Sequence, residues 1–219
     1  MGENFLKKIL IISLLLNSYT SHAQLFDTIV ASFNHKPKLV FKFDTRNSFI
    51  TSQKAKIFGI KLGLNYNETV KLGIGFNSLL TDIYADKQIK YGTNEIDTVK
   101  ARLHFFYVSP YFEYVFYRNK KWEHSIPIQI GFGNSGYKYR NRAGILIKEN
   151  YQPVILYEPS MTTQYKFLSW AAIGLGLGYR VMVLKNRDTD VNFNSPIYVL
   201  KLNLFPGNLY KAIFPKKQK

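Results

Sequence analysis

The chain has 219 residues, 46% hydrophobic and 16% aromatic, with a formal net charge of +16 at pH 7 and no cysteine. Its length suits one sizeable domain, and the missing cysteine excludes disulfides, thiolate metal sites, a cysteine nucleophile and a lipid-carrying amino-terminal cysteine. With 16 Tyr, 17 Phe and 14 Gly, the composition favours strands and close backbone approaches over helical bundles.

Lys7 and Lys8 precede the apolar run Ile9 to Leu16, and Ser21 and Ala23 stand at the minus three and minus one positions of a cleavage site before Gln24. The run is far shorter than the roughly 20 residues of a spanning helix, so residues 1–23 read as a cleavable signal for export. Export sets nucleic acid aside as the partner of so basic a chain, leaving the phosphates of lipopolysaccharide or an acidic periplasmic polymer. A solvated basic surface with no dedicated ligand is the plainer reading. Residues 24–37 are a periplasmic lead-in, whose Leu25, Phe26, Ile29, Val30 and Phe33 fit either a short amphipathic helix or an irregular connection.

Strand one, Lys38 to Arg46, sets Leu39, Phe41 and Phe43 against Val40, Lys42, Asp44 and Arg46, and Asn47 to Lys54 reads as a polar loop. Strands two and three flank the tight turn Asn65 to Glu68. Phe58, Ile60, Leu62, Leu64, Val70, Leu72, Ile74 and Phe76 share one face, while Lys61, Lys71 and four glycines share the other. Asn77 to Val99 is polar and reads as the longest loop. Strand four, Lys100 to Tyr117, sets Leu103, Phe105 and Tyr107 against Arg102, His104, Phe106 and Val108, and a bulge at Ser109 and Pro110 is expected to turn Glu113 inward.

Strand five, Trp122 to Tyr139, alternates Ile126, Ile128, Ile130 and Phe132 with Glu123, Ser125, Gln129, Gly131 and Gly133, and residues 136–152 are expected to project as a loop. Strand six, Pro153 to Tyr165, places Glu158, Ser160, Thr162 and Gln164 on the polar face. Strand seven, Trp170 to Leu184, opposes Ile173, Leu175, Leu177, Tyr179, Val181 and Val183 to glycines and Arg180. Strand eight, Pro196 to Phe205, opposes Tyr198, Leu200, Leu202 and Leu204 to Lys201 and Asn203; residues 206–219 are a basic carboxy-terminal tail.

Eight strands with short connections after strands two, four and six, and longer ones after one, three, five and seven, fit an antiparallel up-and-down transmembrane β-barrel over residues 38–205. A ring of this size is filled by side chains, so a plug rather than a pore is expected. The candidate lumen network is Lys42, Asp44, Lys61, Lys71, Arg102, Glu113, Gln129, Glu158, Arg180 and Lys201. Trp122, Tyr114, Tyr117, Tyr165, Phe167 and Trp170 gather near the short turns, where an interfacial girdle or ordinary strand aromatics would stand.

The glycine-alternating hairpin from Gly59 to Gly75, Ile128 to Gly133, and Gly174 to Arg180 (Gly-Leu-Gly-Leu-Gly-Tyr-Arg) resemble the small outer-membrane β-barrels of Gram-negative bacteria, the OmpA/OmpX-like group in its broad sense. The resemblance implies an outer-membrane location, a terminal assembly aromatic for which Phe205 would serve, and a meeting with the barrel-assembly machinery. It implies architecture and no activity. A structural or surface-interaction role is expected, with outer-membrane lipid and lipopolysaccharide as neighbours. No catalytic, cofactor or metal set stands out; the oligomeric state is not readable.

Two other readings compete. A lipid A-modifying acyltransferase or deacylase needs a nucleophile, base and acid near the outer leaflet; His104 is placed there without partners, and His124 with Ser125 sits at the wrong end. A soluble lipocalin-like periplasmic carrier would turn the apolar faces inward.

Overall fold

The computed structural model describes residues 25–91, 95–189 and 191–214. The expected export signal and residues 215–219 of the basic tail lie outside the described residues. Nine strands run β1 Lys38–Ile50, β2 Gln53–Tyr66, β3 Val70–Leu79, β4 Tyr84–Tyr91, β5 Glu95–Arg118, β6 Trp122–Arg140, β7 Leu146–Leu168, β8 Ala171–Leu184 and β9 Ser195–Leu204. All pairings are antiparallel. β1 pairs with both β2 and β9, and β3 pairs with β5, so every strand except β4 belongs to a closed ring of eight. β4 instead pairs with the first part of β5, from Tyr84 opposite Arg102 to Tyr91 opposite Glu95. Closure leaves the ring no free edge.

Two helices flank the ring at one end: α1, over residues 25–33, before β1, and α2, Pro206–Ile213, after β9. The segment 24–37 therefore contains a helix, with the Phe33 ring edge-on to Tyr66 at 4.9 Å and Ser32 buried. Part of the stretch read as a basic tail is helical too; Pro206, fixed near a helical φ, opens it. At this terminal end the connections are residues 67–69, 119–121 and 169–170. Opposite them lie the tight turn 51–52, the β4 arm, and residues 141–145 and 185–194.

Four readings of the chain need correction. Residues 47–54 form no polar loop: β1 and β2 continue to a two-residue turn in which Thr51 and Ser52 have φ of 45° and 64°. The usual Gly or Asn signal is absent there, and the 185–194 loop braces the turn through Thr51 N to Asn192 O at 3.0 Å and Asn192 N to Thr51 Oγ1 at 3.2 Å. The polar stretch 77–99 contains the end of β3, the β4 arm and the start of β5. Residues 136–152 likewise extend β6 and β7 into a long hairpin, closed by 141–145. Its strands stand beyond the apolar belt, so they lack the alternation that marked the others.

The fourth correction concerns β5. No bulge occurs at Ser109 and Pro110: Ser109 lies opposite Gly75 and Pro110 opposite Ile74, in unbroken register from Val70–Tyr114 to Ser78–Phe106. Glu113 does point inward, as expected, but because Leu103, Phe105, Tyr107, Ser109 and Tyr111 all point inward with it. The ring interior is apolar near the extended end, so the apolar row of that segment is the inner one, and the register shift falls later, between Val115 and Tyr117.

The interior therefore has two halves. Near the extended end Ile50, Ile57, Leu79, Ile83, Leu103, Phe105, Tyr137, Val154 and Leu156 form a buried apolar cluster, capped by Phe193 from the 185–194 loop, whose ring stands 4.5 Å from that of Phe105. Toward the terminal end the interior is polar. Outside, the pattern inverts: Leu62, Ile74, Phe76, Phe132, Leu175, Leu177 and Val183 are each at least half exposed. A continuous apolar belt of this kind exceeds the patches that soluble monomers leave in water. Inner glycines let neighbours cross the narrow ring; a Cβ on Gly73 would run into the Leu62 carbonyl oxygen and the Gly63 Cα.

Candidate functional site

Alternation brings the inward residues of all eight ring strands to one axis. Lys42, Asp44, Lys61, Lys71, Glu113, Gln129, Glu158, Arg180 and Lys201 are all buried inside. Arg102 is not among them: it faces outward beyond the belt, about half exposed, paired with Asp82 at 2.6 Å. It sits on the outer row of β5 because no bulge reverses that strand.

The inward groups form two linked clusters. In the first, Glu113 takes Lys42 at 2.7 Å on one oxygen, while the other accepts from Ser125 at 3.0 Å and faces Lys71 at 3.3 Å and Lys201 at 3.5 Å. Lys71 also pairs with Glu123, which accepts from Gln164 at 2.6 Å, and Lys201 donates to Thr162 at 2.7 Å. In the second, Asp44 pairs with Arg46 at 2.8 Å and Lys61 at 2.9 Å, while Glu158 pairs with Arg180 at 2.5 Å and lies 3.6 Å from Arg46. Arg46 also donates to Asn77 and Tyr107, both at 2.8 Å. Tyr107 donates to Glu158 at 3.1 Å, and Gln129 donates to the same carboxylate.

Reading by strands missed Arg46, Glu123, Tyr107 and Asn77 as members. Arg46 and Glu123 carry the signal, since period two puts them on the rows of Lys42 and Gln129. Tyr107 lay on a row read as outward. Burying ions is costly unless they are paired and hydrogen-bonded, and this density of partners is what offsets that cost. Lys42 and Lys61 also lie over the Tyr111 ring at 4.7 and 5.2 Å. A cavity of about 20 Å³ remains between the clusters, lined in part by Lys42, Lys61, Lys201 and Gln129.

Just beyond the belt at the extended end, the outward rows of β5, β6 and β7 carry Arg102 opposite Lys138 and Lys138 opposite Lys148. Like charges directly across strands repel. Of the three, Arg102 has Asp82, and Lys138 lies 6.0 Å over the Tyr151 ring. His104 packs on Tyr151 at 5.6 Å between ring centres. His124 and Ser125 point to opposite sides of β6. Ser125 donates inward to Glu113, while His124 is hydrogen-bonded to Thr163 at 2.9 Å, so the two form no dyad. At the terminal end Trp122 packs on Tyr165 at 5.0 Å and Tyr117 on His124 at 5.2 Å, part of the aromatic group expected there.

No protein-family model matches the chain, and no characterised protein matches it by sequence. Its fold does match solved structures. Neisserial surface protein A aligns with a TM-score of 0.52 and 11% identity, over 76% of this chain and 96% of that one. Ail, the attachment invasion locus protein of Yersinia pestis, aligns at 0.45 and 11% over 77% and 96%. The amino-terminal barrel of OprF from Pseudomonas aeruginosa aligns at 0.42 and 9% over 77% and 98%. At such identities the likeness is one of fold, and with the closed ring and the outward apolar belt it makes this chain an eight-stranded antiparallel up-and-down barrel of the outer-membrane type.

Proposed function

We propose that the protein is an integral outer-membrane barrel with a plugged lumen, whose basic extended rim engages the phosphates of outer-leaflet lipopolysaccharide in a structural or surface-interaction role. The terminal end, whose three connections are two or three residues long, would face the periplasm, and the end carrying the β4 arm, the long β6–β7 hairpin and the 185–194 connection would face the exterior. The inward apolar cap around Phe105 and Phe193 and the paired ions below it support closure to ions. The observation that carries the partner is the row Arg102, Lys138, Lys148, three cations in cross-strand register at the edge of the belt. An anion beside that row would relieve its repulsion, and phosphates stand at this depth in an outer leaflet.

The test is co-purification of lipopolysaccharide with the native protein and with the triple variant R102Q/K138Q/K148Q. The expected result is a several-fold loss of bound lipopolysaccharide at low salt, with the barrel intact by its heat-dependent gel mobility. Equal retention by both proteins would refute the partner. Steady single-channel conductance of the native barrel in a planar bilayer would refute the plug.

A further inference from the structure

At the terminal end a cleft of about 130 Å³ opens between α2, the start of β1 and the 169–170 turn. Lys38, Lys166 and Lys211 line it, against one carboxylate, Glu68. Glu68 is already engaged by Arg118 at 3.0 Å, Lys166 at 3.4 Å and Lys38 at 3.6 Å, and Lys166 also lies 3.7 Å from Glu123. The site is therefore cationic on balance, and the long side chain of Lys38 remains two-thirds exposed. α2 is fixed over the cleft by Asn208, which donates to the Ser169 carbonyl at 2.8 Å, and by Phe205 N to Trp170 O at 2.9 Å.

Two further features narrow the occupant. Asn65 lines the cleft and is 4% exposed, yet its side-chain oxygen has no partner among the described residues, so the site holds an acceptor that wants a donor. Leu39 and Phe205 also line the cleft, and Leu39 is shared with an outward apolar groove of about 540 Å³ lined by Leu62, Leu64, Leu72, Ile74 and Phe76. α2 adds exposed Tyr210 and Ile213, the residue after it exposed Phe214, and α1 exposed Phe26 and Val30 at the same end. A free anion would have no use for these apolar residues.

We propose that the cleft binds one anionic, glycerol-headed phospholipid of the periplasmic leaflet, its phosphate among Lys38, Lys166 and Lys211, its head-group hydroxyls donating to Asn65, and an acyl chain along Leu39 into the groove. The assignment rests on the membrane placement proposed above. Phosphatidylglycerol supplies both the charge and the donors. Phosphatidylethanolamine brings an ammonium into a cationic site, and phosphatidylmethanol has the charge without the hydroxyls.

The test is native mass spectrometry of the detergent-extracted barrel loaded with these three lipids of identical chains, read only on protein that shows heat-dependent gel mobility. That restriction separates failure of the site from failure of the barrel. Phosphatidylglycerol should be retained over both other lipids. K38Q/K211Q should cut its retention on the order of 20-fold, and Asn65→Leu should erase its advantage over phosphatidylmethanol. Equal retention of phosphatidylethanolamine, or an unchanged K38Q/K211Q protein, overturns the proposal. So does displacement of the lipid by millimolar inorganic phosphate, which would mark a free-anion site.

Discussion

Glu113→Gln is the sharpest perturbation of the interior. The amide keeps the shape of the side chain and can still meet Ser125, but it removes the carboxylate that serves Lys42 at 2.7 Å, Lys71 at 3.3 Å and Lys201 at 3.5 Å. Lys71 retains Glu123; Lys42 and Lys201 lose their one ion-pair partner among the described residues. Breaking a buried pair from one side costs about 3–5 kcal/mol, and loss of a lysine proton limits the rise beyond that. Urea unfolding in lipid vesicles, followed by fluorescence of the chain's two tryptophans, measures the change. Adding Lys42→Met should recover about 1 kcal/mol or more, since the two residues share one contact. A Glu113→Gln loss below about 1 kcal/mol would refute the reasoning, because it would show these ions to be solvated and the lumen wet.

Other expectations follow from the same contacts. Gly73→Ala should abolish or severely slow folding, seen as loss of the compact band in unheated gels, because the added Cβ meets backbone of β2; Gly207→Ala, with open space around it, should leave the band unchanged or stabilise α2 by about 1 kcal/mol. At the 67–69 turn, burial tends to raise the Glu68 pKa, but Lys166, Arg118 and Lys38 outweigh it and hold it below the ordinary carboxylate value. A depressed folded pKa stabilises above the unfolded pKa and is lost as pH falls through the folded one. Glu68→Gln should therefore cost under about 1 kcal/mol at pH 7, and the difference from the native protein should vanish in unfolding titrations carried well below about pH 4.

The ring was legible wherever a strand is bathed in apolar surroundings on one side and glycine or charge on the other. The faces of β2, β3, β8 and β9 read correctly because Ile60, Leu62, Ile74, Leu175 and Leu200 could face only one way. Legibility failed where the interior itself becomes apolar. There Leu103, Phe105 and Tyr107 look like belt residues, and Arg102 looks like a lumen residue. It failed again above the belt, where β4 and the outer arms of β6 and β7 pair through their backbones and need no apolar row. The turn at Thr51 and Ser52 escaped notice because its brace, Asn192, lies far along the chain. Arg46 was visible on the inward row of β1, whereas the exclusion of Arg102 from the lumen depends on the register of β5.

The central claim, a barrel spanning the outer membrane with its terminal end in the periplasm, is tested most directly by single cysteines, which the native chain lacks entirely. Ala143→Cys places a thiol in the exposed 141–145 connection, and Lys120→Cys places one in the exposed 119–121 turn. With a membrane-impermeant maleimide on intact cells, Ala143→Cys should label at once and Lys120→Cys only after the outer membrane is permeabilised. Labelling of Lys120→Cys in intact cells, or recovery of either protein in the soluble periplasmic fraction, would contradict the account.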